Sequence, residues 1–173
     1  LSVSPGDFQD AEEANDGDVG TIFVEQSELG QMRIWTAPGE DGDDVIDAEI
    51  DEEDDENEIA DFVEDGVITQ SSQVVVGDML VHQIEAPGLE GLLLQEGNGN
   101  IKQGLINAAT QEEEGFDTTP LALDIEEEDP PANTEAASLS LTQTPASAIG
   151  VQYDAEGGIL YISVDSDRAV FTR

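Results

Sequence analysis

Forty-two aspartates and glutamates face one lysine and three arginines, a formal net charge of -38 at pH 7. No other feature constrains this chain as strongly. Self-repulsion of that size opposes any compact state at low ionic strength. Sixteen of the acids lie between Glu40 and Asp65, with no Lys or Arg among them. Three arrangements accommodate such a run: a disordered acidic tail, a metal site, or a fold whose charge is screened by concentrated salt. The apolar content decides between them. Hydrophobic residues make up 38% of the chain and gather into runs such as 21–24 and 158–164. That is not the profile of a disordered polyanion. At molar salt the Debye length shrinks to about 3 Å, so exposed carboxylates hardly sense each other and the apolar runs are free to collapse. The scarcity of lysine agrees. Carboxylates stay hydrated where water is scarce, while lysine stems add apolar surface that strong salt makes adhesive. The composition reads as that of a halophile's protein.

The same numbers restrict function. Phosphate backbones are held by Lys and Arg, so direct nucleic-acid binding is not expected. No apolar run approaches the ~20 residues that cross a bilayer, and no signal peptide is visible. Cysteine is absent, which removes disulfides, thiol nucleophiles and thiolate metal sites. The chain starts at Leu1, so a piece processed or cut from something longer is expected.

Periodicity gives a coarse architecture. Strands are expected over 19–26, 31–36, 67–69, 72–76, 79–86, 121–126, 138–141, 149–153, 159–164 and 170–172. Within 79–86, Leu80, His82 and Ile84 alternate with Met79, Val81 and Gln83. Ile59, Phe62 and Val63 have i, i+3, i+4 spacing, which predicts a short amphipathic helix near 52–64 ending at Gly66. The acidic run is then the solvated face of a helix and its leading loop. A second helix is expected over 101–110. Residues 89–95 fit either a strand or a helical turn. Many short strands with Gly, Asp and Pro turns predict a mainly β fold, an immunoglobulin-like β-sandwich with short helical insertions.

Three stretches carry a resemblance: "TIFVEQSELGQMRIWTAPGEDGDDV", "DGVITQSSQVVVGDMLVHQIEAPGLEGLL" and the end, "VQYDAEGGILYISVDSDRAVFTR". Together they resemble a module of haloarchaeal cell-surface glycoproteins of the S-layer type, over roughly residues 19–173. The resemblance implies a β-sandwich domain in a secreted, cell-anchored protein of the outer wall or an extracellular filament, with no enzymatic role. It also implies that residues 1–28 are a linker or the last strand of a preceding domain, and 29–173 the sandwich itself. The chain departs from the family pattern: it shows no Thr-rich stalk, anchor or Asn-x-Ser/Thr sequon.

Candidate chemistry is sparse. His82 is the one histidine, sits mid-strand and has no Gly-x-Ser-x-Gly elbow to serve, so a packed histidine is expected. Asp41, Asp43 and Asp44, and separately Asp165 and Asp167, offer oxygen ligands of the kind Ca²⁺ or Mg²⁺ takes. None has EF-hand spacing. No cofactor is required, and diffuse K⁺ and Na⁺ screening is expected. With 42 acids, carboxylate pairs at glycosidase spacing arise by chance and carry no signal. Trp35 is expected in the core or at a hinge, with Arg33 beside it. Arg33 and Arg168 are the natural ion-pair partners. Self-association is expected, with Thr21, Ile22, Phe23 and Val24 supplying a strand to a neighbour's open sheet edge. A capsid or spike component of a halophilic virus and a soluble halophilic binding protein are the alternatives.

Overall fold

A computed structural model describes residues 29–48, 50–51, 56–71, 73–112, 119–130 and 132–173. In chain order these form β1 (Met32–Ala37), a 3-10 turn (Gly39–Asp41), α1 (Gly42–Asp47), β2 (Ile50–Asp51), β3 (Glu56–Asn57), α2 (Glu58–Glu64), β4 (Thr69–Gln70) and β5 (Met79–Glu85). Next come α3 (Glu90–Glu96), α4 (Ile101–Thr110), β6 (Ser138–Leu139), a second 3-10 turn (Ala146–Ala148), β7 (Ile149–Asp154), β8 (Ile159–Asp165) and β9 (Phe171–Thr172). The centre is a five-stranded antiparallel sheet in the order β4-β1-β5-β8-β7. The pairs β2-β3 and β6-β9 make two small ladders beside it.

Both faces of the sheet are covered. In β5, Met79 and Val81 face one way and Leu80 and Ile84 the other, and all four are buried. The first face receives Val45 and Ile46 of α1 and Ile59 of α2, with Tyr161 of β8 in the same cluster. The second receives Leu93 of α3 and Leu105 of α4, against Leu160, Ile162 and Val164. Strands with two buried faces read as nearly continuous apolar runs. That is why β8 spells Ile-Leu-Tyr-Ile-Ser-Val before its final Asp.

The helices form where local chemistry directs. Ile59 is fully buried, Phe62 and Val63 pack beside it, and Gly66 takes a φ of 75° just past the last turn. Such a backbone favours glycine and ends the helix. The amphipathic helix expected near 52–64 is therefore present as Glu58–Glu64. Asn100 caps α4, its side-chain oxygen accepting from the Gln103 N–H at 2.8 Å. A side chain at Gly104 would collide with the backbone of Leu93, so this glycine sets how closely α3 and α4 approach. Residues 89–95, open between strand and turn in sequence, lie mainly in helix α3.

The mainly β character holds, but the layers packed on the large sheet are helices and loops. An immunoglobulin-like sandwich, which needs a second large sheet, is not confirmed among the described residues. The stretch 121–126 is not a regular strand. It meets β6 through one isolated bridge, Glu126 to Ser138, with the Leu139 N–H donating to the Ile125 carbonyl at 2.9 Å and Ser138 Oγ to Asp124 Oδ1 at 3.0 Å, while Leu121, Leu123 and Ile125 pack inward onto the α3–α4 face. Residues 73–76 form no strand either. The expected strand at 19–26 lies outside the described residues.

Candidate functional site

Four basic side chains must serve the whole molecule, and each has a partner. Arg168 spans two distant segments. Its Nη2 meets Asp43 Oδ1 at 3.0 Å, and its Nε donates to Asp165 Oδ2. Asp165 Oδ1 also accepts from the backbone N–H groups of Asp167 (2.9 Å) and Arg168 (3.3 Å). Partial burial pushes the Asp165 carboxyl upward. The Arg168 hydrogen bond, the two backbone N–H groups and the guanidinium charge outweigh it and hold the carboxyl below its ordinary value.

The fold thus brings the two aspartate groups singled out in sequence toward each other. Asp41 ends a 3-10 turn, Asp43 and Asp44 open α1, and Asp165 ends β8 with Asp167 in the following turn. Arg168 bridges Asp43 and Asp165, the position a bridging cation would take. Among the described residues no three His, Asp or Glu side chains converge as metal ligands. Thr21, Ile22, Phe23 and Val24 lie outside the described residues.

Arg33 belongs to a second cluster on the face covered by α1 and α2. Gln83 is its hub. Gln83 Oε1 accepts from Trp35 Nε1 at 3.1 Å and from Arg33 Nη1 at 3.4 Å, while its Nε2 donates to the Tyr161 hydroxyl at 3.4 Å. Arg33 also donates to Gln31 Oε1 at 2.6 Å and stands 3.9 Å from Glu85. β1, β5 and β8 set this arrangement through their register, Arg33 opposite Gln83 and Gln83 opposite Tyr161. The half-buried indole N–H finds its acceptor here.

The remaining two cations are also committed. Lys102 of α4 donates to the carbonyls of Ile149 (2.7 Å) and Ala146 (3.1 Å). Arg173 lies 3.7 Å from Glu127.

His82 faces the α3–α4 side, 7% exposed, opposite Ile34 of β1 and Ile162 of β8. Its Nε2 has no hydrogen-bond partner among the described residues. Burial lowers its pKa from the ordinary 6.5, so the ring is neutral at pH 7. Among the described residues its neighbours across the strands are aliphatic, Ile34 and Ile162, and no nucleophile or carboxylate is hydrogen-bonded to it.

What sequence reasoning missed lies on the surface. Val74, Val75 and Val76 are 37%, 68% and 81% exposed. The sequence pattern predicts a strand over 72–76, whose alternation would bury at least one of them. Gln83 was placed on a strand face but not recognised as a hub. Its role depends on the register of β1, β5 and β8, which sets it opposite Arg33 and Tyr161 and which no local pattern in the sequence encodes.

No described protein family matches the chain, and no solved structure matches it. Curated proteins do. Over 161 residues, 88% of this chain, it is 30% identical to a protein named cell surface glycoprotein 2 of Haloarcula hispanica. It is 29% identical over 168 residues to cell surface glycoprotein 1 of the same organism. It is 26% identical over 169 residues, 96% of this chain, to a cell surface glycoprotein of Haloferax gibbonsii. The chain spans 16% of the length of each. Along most of its length it is therefore similar to one stretch of haloarchaeal cell surface glycoproteins.

Proposed function

We propose that this chain is a structural, non-catalytic module of a haloarchaeal cell-surface protein, exposed outside the cell and assembling with copies or neighbouring domains. The observation that carries the reading is the similarity over 88% of the chain to haloarchaeal cell surface glycoproteins. The charge supports it: a -38 chain is suited to brine, where screening reduces repulsion to short range. The deployment of the basic side chains supports it as well. Arg33, Lys102, Arg168 and Arg173 all tie segments together, which suits a load-bearing module. In this reading K⁺ and Na⁺ act diffusely over the acidic surface, and no catalytic step is assigned.

Location is the direct test. An antibody raised against the folded chain is applied to intact, unpermeabilised cells of the source organism and followed by gold labelling. Label on the outer surface is expected. Label seen only after the cells are opened would overturn the proposal.

A further inference from the structure

The sheet has two edges, and they are treated differently. β7 is guarded. α4, α1 and β2 pack along it, Lys102 occupies the Ile149 carbonyl, and Gln152 Nε2 reaches the carbonyls of Ile46 (3.2 Å) and Ala48 (2.7 Å). β4 is not. It pairs with β1 on one side only, at Trp35–Gln70 and Thr36–Thr69, and among the described residues nothing pairs with its other side. Thr69 and Gln70 are both exposed. The chain then runs on into the exposed valines 74–76.

Natural sheets blunt open edges with charge. This molecule has 42 acids to place, yet residues 66–77, bounded by Asp65 and Asp78, hold no charged side chain. The open edge is thus free of the residue type that dominates the chain's charge. The segment is also held in shape. Gly77 N–H donates to Ser166 Oγ at 2.9 Å, and Val75 O accepts from Asp78 N at 2.9 Å and from Ser166 Oγ at 3.3 Å. Exposed valines in strong salt carry a larger penalty than in dilute buffer, which favours covering them.

We propose that β4 and the valines 74–76 form a contact surface for a second copy of this chain, joined edge to edge. Charge selects the occupant. Where two molecules each carrying -38 meet, every carboxylate the contact covers must be stripped of water, a cost that salt does not screen away, and this strip presents none. A two-fold pairing sets the strip against itself, so both sides meet the condition at once. A basic partner would instead be drawn to the acidic remainder of the surface. The proposal rests on the assembling surface module described above and locates its contact.

The test uses the full chain in several molar KCl, with sedimentation equilibrium across a wide concentration range. The variants are Val75→Glu with Val76→Glu, and Leu94→Glu as a control on an exposed leucine of α3, away from this edge. All are exposed positions, and circular dichroism in the same salt checks that each folds. The wild type and the Leu94→Glu variant are expected to associate. The double variant is expected to weaken association by at least about tenfold in Kd. The chain lacks cysteine, so Val76→Cys gives a clean label site, and spin labels there are expected to report a neighbouring copy within short range. Association that is unchanged in the double variant would overturn this contact while leaving the surface-module reading intact. A wild type that stays monomeric at all concentrations would overturn self-pairing at this strip. Gold labelling of intact cells decides the surface-module reading independently of both results.

Discussion

At the residue scale, the side chains that matter most are the few that are not acidic. Lys102 illustrates this: in a field of carboxylates its ammonium donates to two backbone carbonyls, Ile149 and Ala146, and joins α4 to the start of β7. Lys102→Met keeps the apolar stem but leaves both carbonyls without this donor. A loss of about 1–2 kcal/mol is expected by chemical denaturation in molar KCl. Gln83 carries three hydrogen bonds, to Trp35, Arg33 and Tyr161. Gln83→Leu strands a half-buried indole N–H and is expected to cost about 1–3 kcal/mol, with a change in Trp35 fluorescence. His82 sets a pH limit. Its folded pKa lies below the ordinary 6.5 because burial disfavours the imidazolium. On acidification the unfolded chain therefore takes up the proton first. The stability linked to neutral His82 is complete above about pH 6.5 and is lost as pH falls from there toward the folded value. In molar KCl, melting temperature is expected to fall between pH 7 and 5, and His82→Phe to remove most of that fall. A wild type with a flat profile over that range would contradict this account of the buried ring.

At the element scale, the fold depends on covering both faces of one sheet. Helix α2 is short and solvent-facing on one side, and it docks through Ile59. Ile59→Ala is expected to cost about 2–5 kcal/mol, with early loss of hydrogen-exchange protection in α2. Much of this arrangement was legible in the chain. The alternation in β5, the spacing of Ile59, Phe62 and Val63, the whole of α4 and the β7-β8 hairpin all follow from period and turn residues. In each case one local signal coincides with the tertiary demand. Three stretches were not legible, for different reasons. Leu121, Leu123 and Ile125 alternate like a strand, but the alternation serves a loop laid across α3 and α4. Residues 89–95 are short and apolar, and periodicity alone does not separate strand from helix there. The valines 74–76 have strong β propensity without a partner strand among the described residues, and propensity cannot report that a neighbour is missing. The candidate site was legible in part. Arg33 and Arg168 were identifiable as ion-pair partners because so few cations exist. That Arg168 joins Asp43 to Asp165, 125 positions apart from the former, depends on the sheet bringing α1 beside the end of β8. No spacing in the sequence encodes that meeting.

At the scale of the whole molecule, the controlling quantity is the balance between two buried clusters and a charge of -38. Two apolar faces on one sheet draw the chain together, and the carboxylates push it apart at all ionic strengths where they sense each other. The contacts of Arg168 with Asp43 and Asp165 lie at the surface, so Arg168→Gln is expected to destabilise only slightly, and less as salt rises. A circular-dichroism melt of the wild-type chain at neutral pH, repeated from about 0.1 M to several molar KCl, spans Debye lengths from about 10 Å to below about 3 Å. The account predicts an unfolded or barely folded chain at the low end, with a cooperative transition whose midpoint climbs steadily as KCl is added. A chain fully folded at 0.1 M, with a midpoint indifferent to salt, would contradict the claim that this fold is built for brine.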